Sequence, residues 1–304
     1  MHAAPGPGPS YPGGMTRGMD GKTVLVTGAT NGIGLVTARE LARLGARVVI
    51  VGRDPGKTAR VAREIGAADA LIADLSELAQ VRRAAAEFRE RVGALDVLVN
   101  NAGGVFRERR TTVDGFESTF AFNHLAYFLL THLLLEPLRA AGRARVVSVS
   151  SSANRMGRVR WDDPQFTQGY SPTAAYAQSK LMNILFANAL ARRLRSTGVT
   201  SNSLHPGRVR SGFGEDLTGL TRVIFNLTSF WALSPQQGAQ TSVYLATSPE
   251  VGGVTGTYFQ DKKPQRANRV AYDQAAQDRL WALSEQVVGR WLDPVEQEQA
   301  AVPR

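Results

Sequence analysis

A tyrosine and a lysine stand four residues apart in the segment Tyr-Ala-Gln-Ser-Lys, at Tyr176 and Lys180. Side chains with this spacing lie on the same face of a helix, so the two groups can meet. A tyrosine hydroxyl has a pKa of about 10, which makes it a poor acid or base near neutral pH. A cation one helical turn away favours the ionised phenol. The pair therefore indicates proton transfer, although the same spacing also occurs by chance on many helices.

Short β-branched segments alternate with helical segments along most of the chain. The near-continuous apolar character of the β-branched segments is typical of strands buried on both faces of a parallel sheet. Strands are predicted at Thr23–Thr27, Val48–Val51, Ala70–Ala73, Val97–Val99, Val146–Val149, Thr200–Leu204 and Gly256–Phe259. Helices are predicted at Gly34–Leu44, Gly56–Ile65, Leu78–Val92, Phe116–Arg139, Ala174–Ser196, Pro235–Ala246 and Arg269–Trp291. This order predicts a single-domain α/β Rossmann fold with a doubly wound, mostly parallel seven-stranded sheet flanked by helices.

The predicted domain spans residues 20–295. Residues 1–19 are rich in Gly and Pro and are expected to form a disordered leader, and residues 296–304 a disordered tail. No apolar stretch approaches the roughly 20 residues of a membrane span. The N-terminus also lacks the basic region and apolar core of a secretory signal. A cytoplasmic location is expected.

The composition argues against two other classes of protein. The chain has a formal charge of +10, but its acids and arginines are interspersed, which favours a solvated surface over a nucleic-acid patch. It contains no cysteine, so disulfides and thiolate metal sites are excluded, and its four histidines are scattered. We therefore expect no nucleic-acid partner and no metal site.

A glycine-rich turn follows the first predicted strand and leads directly into the first predicted helix. Glycines at this place let the backbone bend sharply and approach a pyrophosphate, which the helix N-terminal amides then hold. Glycines alone would be a weak signal, but their position between strand and helix favours a dinucleotide site over a simple tight turn. The candidate cofactor-binding residues of this turn are Gly28, Thr30, Asn31, Gly32, Ile33 and Gly34.

The end of the second strand bears on which dinucleotide is bound. NAD sites usually place an acid there to bind the ribose 2′-OH, whereas a nearby arginine favours a 2′-phosphate. In this chain Gly52 stands where the acid would be expected, Arg53 follows it, and Asp54 is a competing acid. Arg53 and the missing acid favour NADP(H) as the cofactor, with NAD(H) as the alternative.

Taken in order, the motifs from Gly21 to Gly289 resemble those of the short-chain dehydrogenase/reductase family. The glycine turn is similar to the family's Thr-Gly-x-x-x-Gly-Ile-Gly, and Asp74-Leu75 is similar to its adenine-contacting pair. Asn100-Asn101-Ala102-Gly103 matches its Asn-Asn-Ala-Gly, which supports the central sheet beside the cofactor. The resemblance implies further cofactor contacts at Asp74, Leu75, Asn101, Ala102 and Gly103.

The same resemblance implies a catalytic tetrad of Asn123, Ser151, Tyr176 and Lys180. Ser151 is chosen among three adjacent serines because the turn that follows it is similar to the one after the family's serine. By resemblance, Tyr176 is the general acid and base and Lys180 also hydrogen-bonds the nicotinamide ribose, so that both residues contact the cofactor. Ser151 would polarise the carbonyl, and Asn123 would hold a water of the proton relay.

The segment between Ser151 and Tyr176 is longer than the family's commonest spacing, and this resembles the retinol-dehydrogenase-like and WW-domain-oxidoreductase-like branch. In that branch the insert borders the substrate cleft. The loop after the sixth strand is similar to the family's nicotinamide loop, which implies cofactor contacts at Pro206, Gly207, Val209 and Ser211. The apolar segment at about 208–233 is interpreted as a lid over an apolar substrate rather than as a core helix.

The sequence therefore predicts an oxidoreductase that transfers a hydride between NADP(H) and the carbonyl, or the primary or secondary alcohol, of an apolar small molecule. The alternative is an NADP(H)-sensing regulatory protein with little catalysis, although such a sensor has no use for a positioned acid. The family resemblance also implies a homodimer or homotetramer assembled through the helices at 116–139 and 174–196.

Overall fold

The computed structural model describes residues 18–207 and 233–292. Its strands are β1 Thr23–Thr27, β2 Arg47–Gly52, β3 Asp69–Ile72, β4 Val97–Asn100, β5 Arg145–Val149, β6 Thr200–His205, β7 Tyr258–Gln260 and β8 Lys263–Pro264. They form one eight-stranded sheet in the order β3-β2-β1-β4-β5-β6-β7-β8. The order reverses direction between β1 and β4, which is the doubly wound arrangement expected from the sequence.

The prediction of seven strands was wrong by one. Strand β8 pairs with β7 in the antiparallel direction, whereas the other neighbouring strands are parallel. It consists of Lys263 and Pro264, which are both exposed. A two-residue exposed strand lacks the apolar run by which a strand is recognised in sequence.

Helices cover both faces of the sheet. They are α1 Gly32–Arg43, α2 Pro55–Ile65, α3 Leu78–Arg91, α4 Ser118–Phe120, α5 Ala126–Leu133, α6 Leu135–Ala140, α7 Pro172–Arg193, α8 Pro235–Thr247 and α9 Gln274–Val288. One core lies beneath α1, α2 and α8, and the other beneath α3, α5, α7 and α9. No helix in the described ranges combines the length and the apolar character that crossing a membrane requires.

The single helix predicted at 116–139 is interrupted twice. A π-helical turn at Ala121–Leu125 joins α4 to α5, and α5 ends at Leu133. The second interruption follows from Pro137, because a proline cannot donate to the carbonyl of the residue four positions before it and its ring clashes with that carbonyl. The first surrounds Asn123 and belongs to the site described below.

Three sequence expectations fall partly or wholly outside the described residues. Val209, Ser211 and nearly all of the predicted lid lie between the two described ranges. Most of the predicted leader lies before residue 18, and the whole predicted tail lies after residue 292. Met19, which falls within the predicted leader, is buried, and its backbone nitrogen donates to the carbonyl oxygen of Leu44 at 3.1 Å. Residue 19 therefore packs against the domain that follows it.

Helix α9 covers the outer face that α5 and α7 share. The Trp281 ring of α9 lies 5.0 Å from the ring of Phe128 on α5 and 6.1 Å from that of Phe186 on α7, measured between centroids. Nearly all of α7 from Ala175 to Ala191 is buried within the chain. A subunit contact through α5 and α7 would therefore have to use what little of their surface α9 leaves open.

Three buried histidines make the fold sensitive to acid. Burial lowers the pKa of His124 to about 3 and that of His132 and His205 to about 4. An unfolded histidine takes up a proton near pH 6.5. Below that pH the unfolded chain therefore binds protons that the folded chain excludes, and the folded state loses stability down to the folded pKa values.

We expect the free energy of unfolding to fall as the pH is lowered from 7 to 5, most steeply below pH 6.5. The fall should amount to about 1.4 kcal/mol per histidine for each pH unit. Urea unfolding at a series of pH values measures it, and His132→Asn should show a shallower slope than the parent. An unchanged free energy of unfolding down to pH 5 would contradict the burial of these rings.

Candidate active site

The glycine turn at the end of β1 is held against the end of β4. Asn101 donates through Nδ2 to the Thr27 carbonyl oxygen at 2.8 Å, and the backbone nitrogens of Asn101 and Ala102 donate to Thr27 Oγ1 at 2.8 and 3.0 Å. A Cβ on Gly28, which has φ +63°, would lie 2.9 Å from the Ala102 Cα. The two strand ends therefore meet so closely that this turn has no room for a side chain at position 28.

The start of α1 fits a pyrophosphate. A Cβ on Gly34 would overlap the Gly28 carbonyl oxygen and Asn101 Nδ2, so only glycine lets the helix begin here. The side chain of Asn31, at the N-cap, makes no capping hydrogen bond. The first amides of α1 thus lack the side-chain acceptor that usually satisfies them, and such amides bind phosphate oxygens.

The end of β2 has no space for an acid at position 52. A Cβ on Gly52 would overlap Thr58 Oγ1 and crowd Thr30 Cγ2. The competing acid Asp54 caps α2, where its Oδ1 accepts from the Lys57 backbone nitrogen at 2.6 Å. Arg53 is 80% exposed and pairs with Asp74 Oδ2 at 3.5 Å. The charged side chain that reaches into solvent from the end of this strand is therefore a cation.

Of the three adjacent serines, Ser151 forms a hydrogen bond with the Tyr176 hydroxyl. Ser150 instead donates through Oγ to the Lys180 carbonyl oxygen at 2.7 Å and so fastens α7 to the end of β5. Ser152 is exposed at the start of the following 3₁₀ turn. The structure thus brings Ser151 and Tyr176 together, whereas Ser150 holds α7 against the end of β5.

Lys180 is buried and Tyr176 is half-buried, and the loss of solvent moves each toward its neutral form. It raises the pKa of Tyr176 to about 12, against the opposing effect of the Ser151 hydrogen bond. It lowers the pKa of Lys180 to about 8. Lys180 Nζ lies 5.6 Å from the centroid of the Tyr176 ring and donates to the Val149 carbonyl oxygen at 3.3 Å. The expectation that Lys180 favours the ionised phenol is thus outweighed by desolvation in this state.

Asn123 lies in the π-helical turn and connects the segment after β4 to α7. Its Oδ1 accepts from the Gly104 backbone nitrogen at 2.8 Å, while its Nδ2 donates to the Gly104 carbonyl oxygen and to Ser179 Oγ, both at 2.9 Å. Ser179 Oγ in turn donates to the Tyr176 carbonyl oxygen at 2.8 Å. The Asn123 side chain is therefore fully used in joining the Asn-Asn-Ala-Gly segment to α7.

The contacts are continuous from the glycine turn to Lys180. Asn101 reaches the turn, and a Cβ on Gly103 would lie 3.1 Å from Lys180 Nζ and 3.2 Å from Asn123 Oδ1. Leu75 is buried beyond the end of β3. Pro206 and Gly207 follow β6 at the same edge of the sheet, and Gly207 has φ +87°. The predicted site residues within the described ranges thus gather along one edge, at the carboxyl ends of the strands.

Sequence reasoning missed Thr27, Ser179 and Tyr127 as residues of this site. The sequence analysis used Thr27 only as the end of a strand and the first residue of the glycine motif, and Ser179 only as a spacer between Tyr176 and Lys180. Tyr127 follows Asn123 by four residues, a helical spacing that could have drawn attention to it. The described residues bring together no group of three or more histidines and carboxylates able to hold a metal ion.

Comparison with known proteins agrees with this geometry. Residues 22–219 match the family model described as short chain dehydrogenase. Mouse retinol dehydrogenase 14 is 43% identical over 291 residues, covering 89% of this chain and 87% of that protein. Human polyprenol dehydrogenase is 39% identical over 282 residues, covering 88% of this chain and 85% of that protein.

Solved structures show the same likeness. An uncharacterised protein from Mycobacterium paratuberculosis superposes with a TM-score of 0.73 at 36% identity, covering 89% of this chain and 94% of that one. The Pseudomonas aeruginosa RhlG/NADP active-site complex superposes with a TM-score of 0.66 at 28% identity, covering 81% of this chain and 96% of that one.

The chain belongs to the short-chain dehydrogenase/reductase family. Within that family it is retinol-dehydrogenase-like, an NAD(P)-dependent oxidoreductase that acts on CH–OH groups. The uncapped α1 N-terminus and the side-chain-free turn at Gly28 and Gly34 fit the nicotinamide dinucleotide that the family implies.

Gly34→Ala is expected to weaken NADPH binding at least about tenfold and to lower the free energy of unfolding by about 1–3 kcal/mol. The new methyl group must displace the Gly28 carbonyl or the Asn101 amide. NADPH fluorescence titration and urea unfolding measure the two effects. Gly253→Ala is the control, because a Cβ there meets nothing within 4 Å. Unchanged NADPH affinity in Gly34→Ala would place the dinucleotide elsewhere.

Proposed function

We propose that the protein is an NADP(H)-dependent reductase of apolar carbonyl compounds, with Tyr176 as the general acid. The observation that carries the proposal is the Ser151–Tyr176 hydrogen bond beside the buried Lys180, connected through Gly103 and Asn101 to the glycine turn. A nucleotide-sensing protein needs the turn but not this arrangement of proton-transfer groups.

The protonation state of Tyr176 supports the reductive direction. The reduced nicotinamide dinucleotide, when bound, supplies a hydride to the carbonyl carbon, and the carbonyl oxygen becomes an alkoxide. Ser151 is positioned to hydrogen-bond the carbonyl oxygen, and Tyr176 to give that oxygen its proton. A phenol with a pKa of about 12 is protonated at neutral pH, which is the form that a general acid requires. The Tyr176 phenolate then regains a proton before the next turnover.

Lys180 supports that step as a charge rather than as a proton donor of its own. Its ammonium lies on the face of the Tyr176 ring, and a positive charge at this distance stabilises the phenolate formed when the proton leaves. Because water is excluded there, the attraction is stronger than it would be at a surface. Lys180 thus stabilises the phenolate when it forms, whereas before that step desolvation has the larger effect on the pKa of Tyr176.

The preference for NADP(H) is supported by the end of β2. An acid cannot occupy position 52, and Asp54 is committed to capping α2. Arg53 is exposed at the place where a 2′-phosphate would lie, and its partner Asp74 is held mainly by bonds from the backbone nitrogen and hydroxyl of Ser76. A doubly charged phosphate is a stronger partner for a guanidinium than one carboxylate at 3.5 Å.

The choice of an apolar substrate is supported by the side chains beside the site. Val105 follows Gly104 and is 39% exposed, and Met156, in the turn after Ser151, is 69% exposed. Exposed apolar side chains flanking a polar catalytic pair are typical of a cleft for an apolar ligand. The names of the similar retinol and polyprenol dehydrogenases point to long apolar alcohols, so we propose an isoprenoid-like carbonyl or alcohol as the substrate class.

Tyr176→Phe is expected to lower kcat by at least about 10³-fold while leaving NADPH affinity within about threefold, because it removes one hydroxyl and keeps the ring. The measurements are NADPH oxidation with a panel of apolar aldehydes and ketones, and NADPH fluorescence titration. Tyr244→Phe, at a half-buried position on α8, is the control. Undiminished turnover would remove Tyr176 from the mechanism, and NADPH binding without turnover by the parent would favour the sensor.

Arg53→Ala is expected to raise the KM for NADPH about 10- to 100-fold and to leave the KM for NADH nearly unchanged, because the guanidinium that it removes pairs with a phosphate that NADH lacks. Steady-state kinetics with both cofactors test this. Arg47→Ala is the matched control, since Arg47 is an exposed arginine at the opposite end of the same strand. Equal changes for both cofactors would show that Arg53 does not read the 2′-phosphate.

A further inference from the structure

Tyr127 is a buried tyrosine beside the site whose hydroxyl has no evident use. It lies on α5, one helical turn after Asn123, and is 1% exposed. Its Oη has no hydrogen-bond partner among the described residues. Burial and the nearby Tyr176 hold the pKa of Tyr127 well above its usual value, so the ring is neutral.

The ring of Tyr127 faces the same ammonium as the ring of Tyr176. Lys180 Nζ lies 5.9 Å from the centroid of the Tyr127 ring and 5.6 Å from that of the Tyr176 ring. Both distances fall within the roughly 6 Å over which a cation is attracted to an aromatic face. The ammonium is therefore flanked by an aromatic ring from α5 as well as by one from its own helix.

Few other groups in the described chain keep this ammonium charged. It donates to the neutral Val149 carbonyl oxygen at 3.3 Å, and desolvation alone accounts for the lowered pKa of Lys180. The titratable groups facing it are the two tyrosines, from α5 and α7; its neighbours from β5 and the Asn-Asn-Ala-Gly segment are Val149 and Gly103. An aromatic face is one of the few neutral surfaces that favour a cation after its water is removed.

We propose that Tyr127 is a positioning residue whose ring holds the Lys180 ammonium in place and in its charged form. The ring acts through Lys180 and touches neither substrate nor cofactor. This role rests on the proposed function and deepens it, because the charge that the ring stabilises is the one that stabilises the Tyr176 phenolate. The charge of Lys180 can nevertheless be measured without any turnover.

The direct test is an NMR titration of Lys180. The chain contains five lysines, Lys22, Lys57, Lys180, Lys262 and Lys263, so protein carrying ¹³C-labelled lysine gives a simple spectrum. Lys180→Arg assigns the Lys180 signal. Tyr127→Leu, with Tyr127→Met as a second variant should the first fold poorly, is expected to lower the titration midpoint of Lys180 by about 0.5 to 1.5 pH units.

Two controls separate the ring from mere packing. Phe128→Leu removes the neighbouring buried ring on α5, which packs on Trp281 and Phe186 instead of on Lys180, and should leave the Lys180 midpoint unchanged. Tyr127→Phe keeps the ring and should also titrate like the parent. The pH profile of kcat gives a second readout. Its limb that reports the titration of Lys180 should move in Tyr127→Leu and should stay in place in both controls.

Each result decides the matter. An unchanged Lys180 midpoint in Tyr127→Leu and Tyr127→Met overturns the proposal, and so does an equal shift in Phe128→Leu. A shift in Tyr127→Phe as large as that in Tyr127→Leu would assign the effect to the hydroxyl and overturn the role of the ring. If the NMR shift is found but the enzyme reduces no carbonyl, the failure lies with the proposed function and not with Tyr127.

Discussion

The docking of α7 on the end of β5 is the interaction on which the site depends. Ser150 donates to the Lys180 carbonyl oxygen, and the Val149 carbonyl oxygen accepts from both Lys180 Nζ and Asn183 Nδ2. Because α7 is buried almost throughout, its rotation is set by packing and by these bonds rather than by one apolar stripe. A slip of one residue would turn the helix by about 100° and carry Tyr176 away from Ser151.

Loss of solvent around Tyr176 and Lys180 disfavours their charged forms before the reaction, and it strengthens the attraction between those charges once they form. The loss of solvent raises the pKa of Tyr176, which holds it protonated, and lowers the pKa of Lys180. The same surroundings strengthen every attraction that appears once a charge forms, since few solvent dipoles compete. The site is thus arranged for the charges of the reaction rather than for those of the resting protein.

Much of the fold and site could be predicted from sequence, because the decisive signals are local. Buried parallel strands have apolar runs, and the glycine turn, the Asn-Asn-Ala-Gly segment and the Tyr-Lys pair have fixed spacings, so their order identified the fold class and the family. Strand β8 was missed because two residues, Lys263 and Pro264, are too few to form a periodic pattern. The break between α5 and α6 was missed, although Pro137 is a sequence signal for it.

Long-range consequences were beyond sequence reasoning. The choice between Ser150 and Ser151 depends on how α7 meets β5, which spacing cannot reveal. The effect of desolvation on Tyr176 depends on packing from several elements, so its raised pKa could not be anticipated from the spacing of Tyr176 and Lys180. The covering of α5 and α7 by α9 likewise depends on Trp281, a residue about 150 positions from Phe128 in sequence.

The crowding around Gly52 has a consequence for how cofactor choice can change in evolution or by design. An acid introduced there alone would collide with Thr58 and Thr30 before it could reach a ribose, so the variant would be damaged rather than converted. Smaller residues at positions 30 and 58 must come first. Those changes are of no benefit by themselves, since Thr58 also bonds the Asp54 carbonyl oxygen at the start of α2. A change of cofactor preference at this position therefore passes through variants that are less stable than the parent, and the order of the substitutions decides how unstable they are.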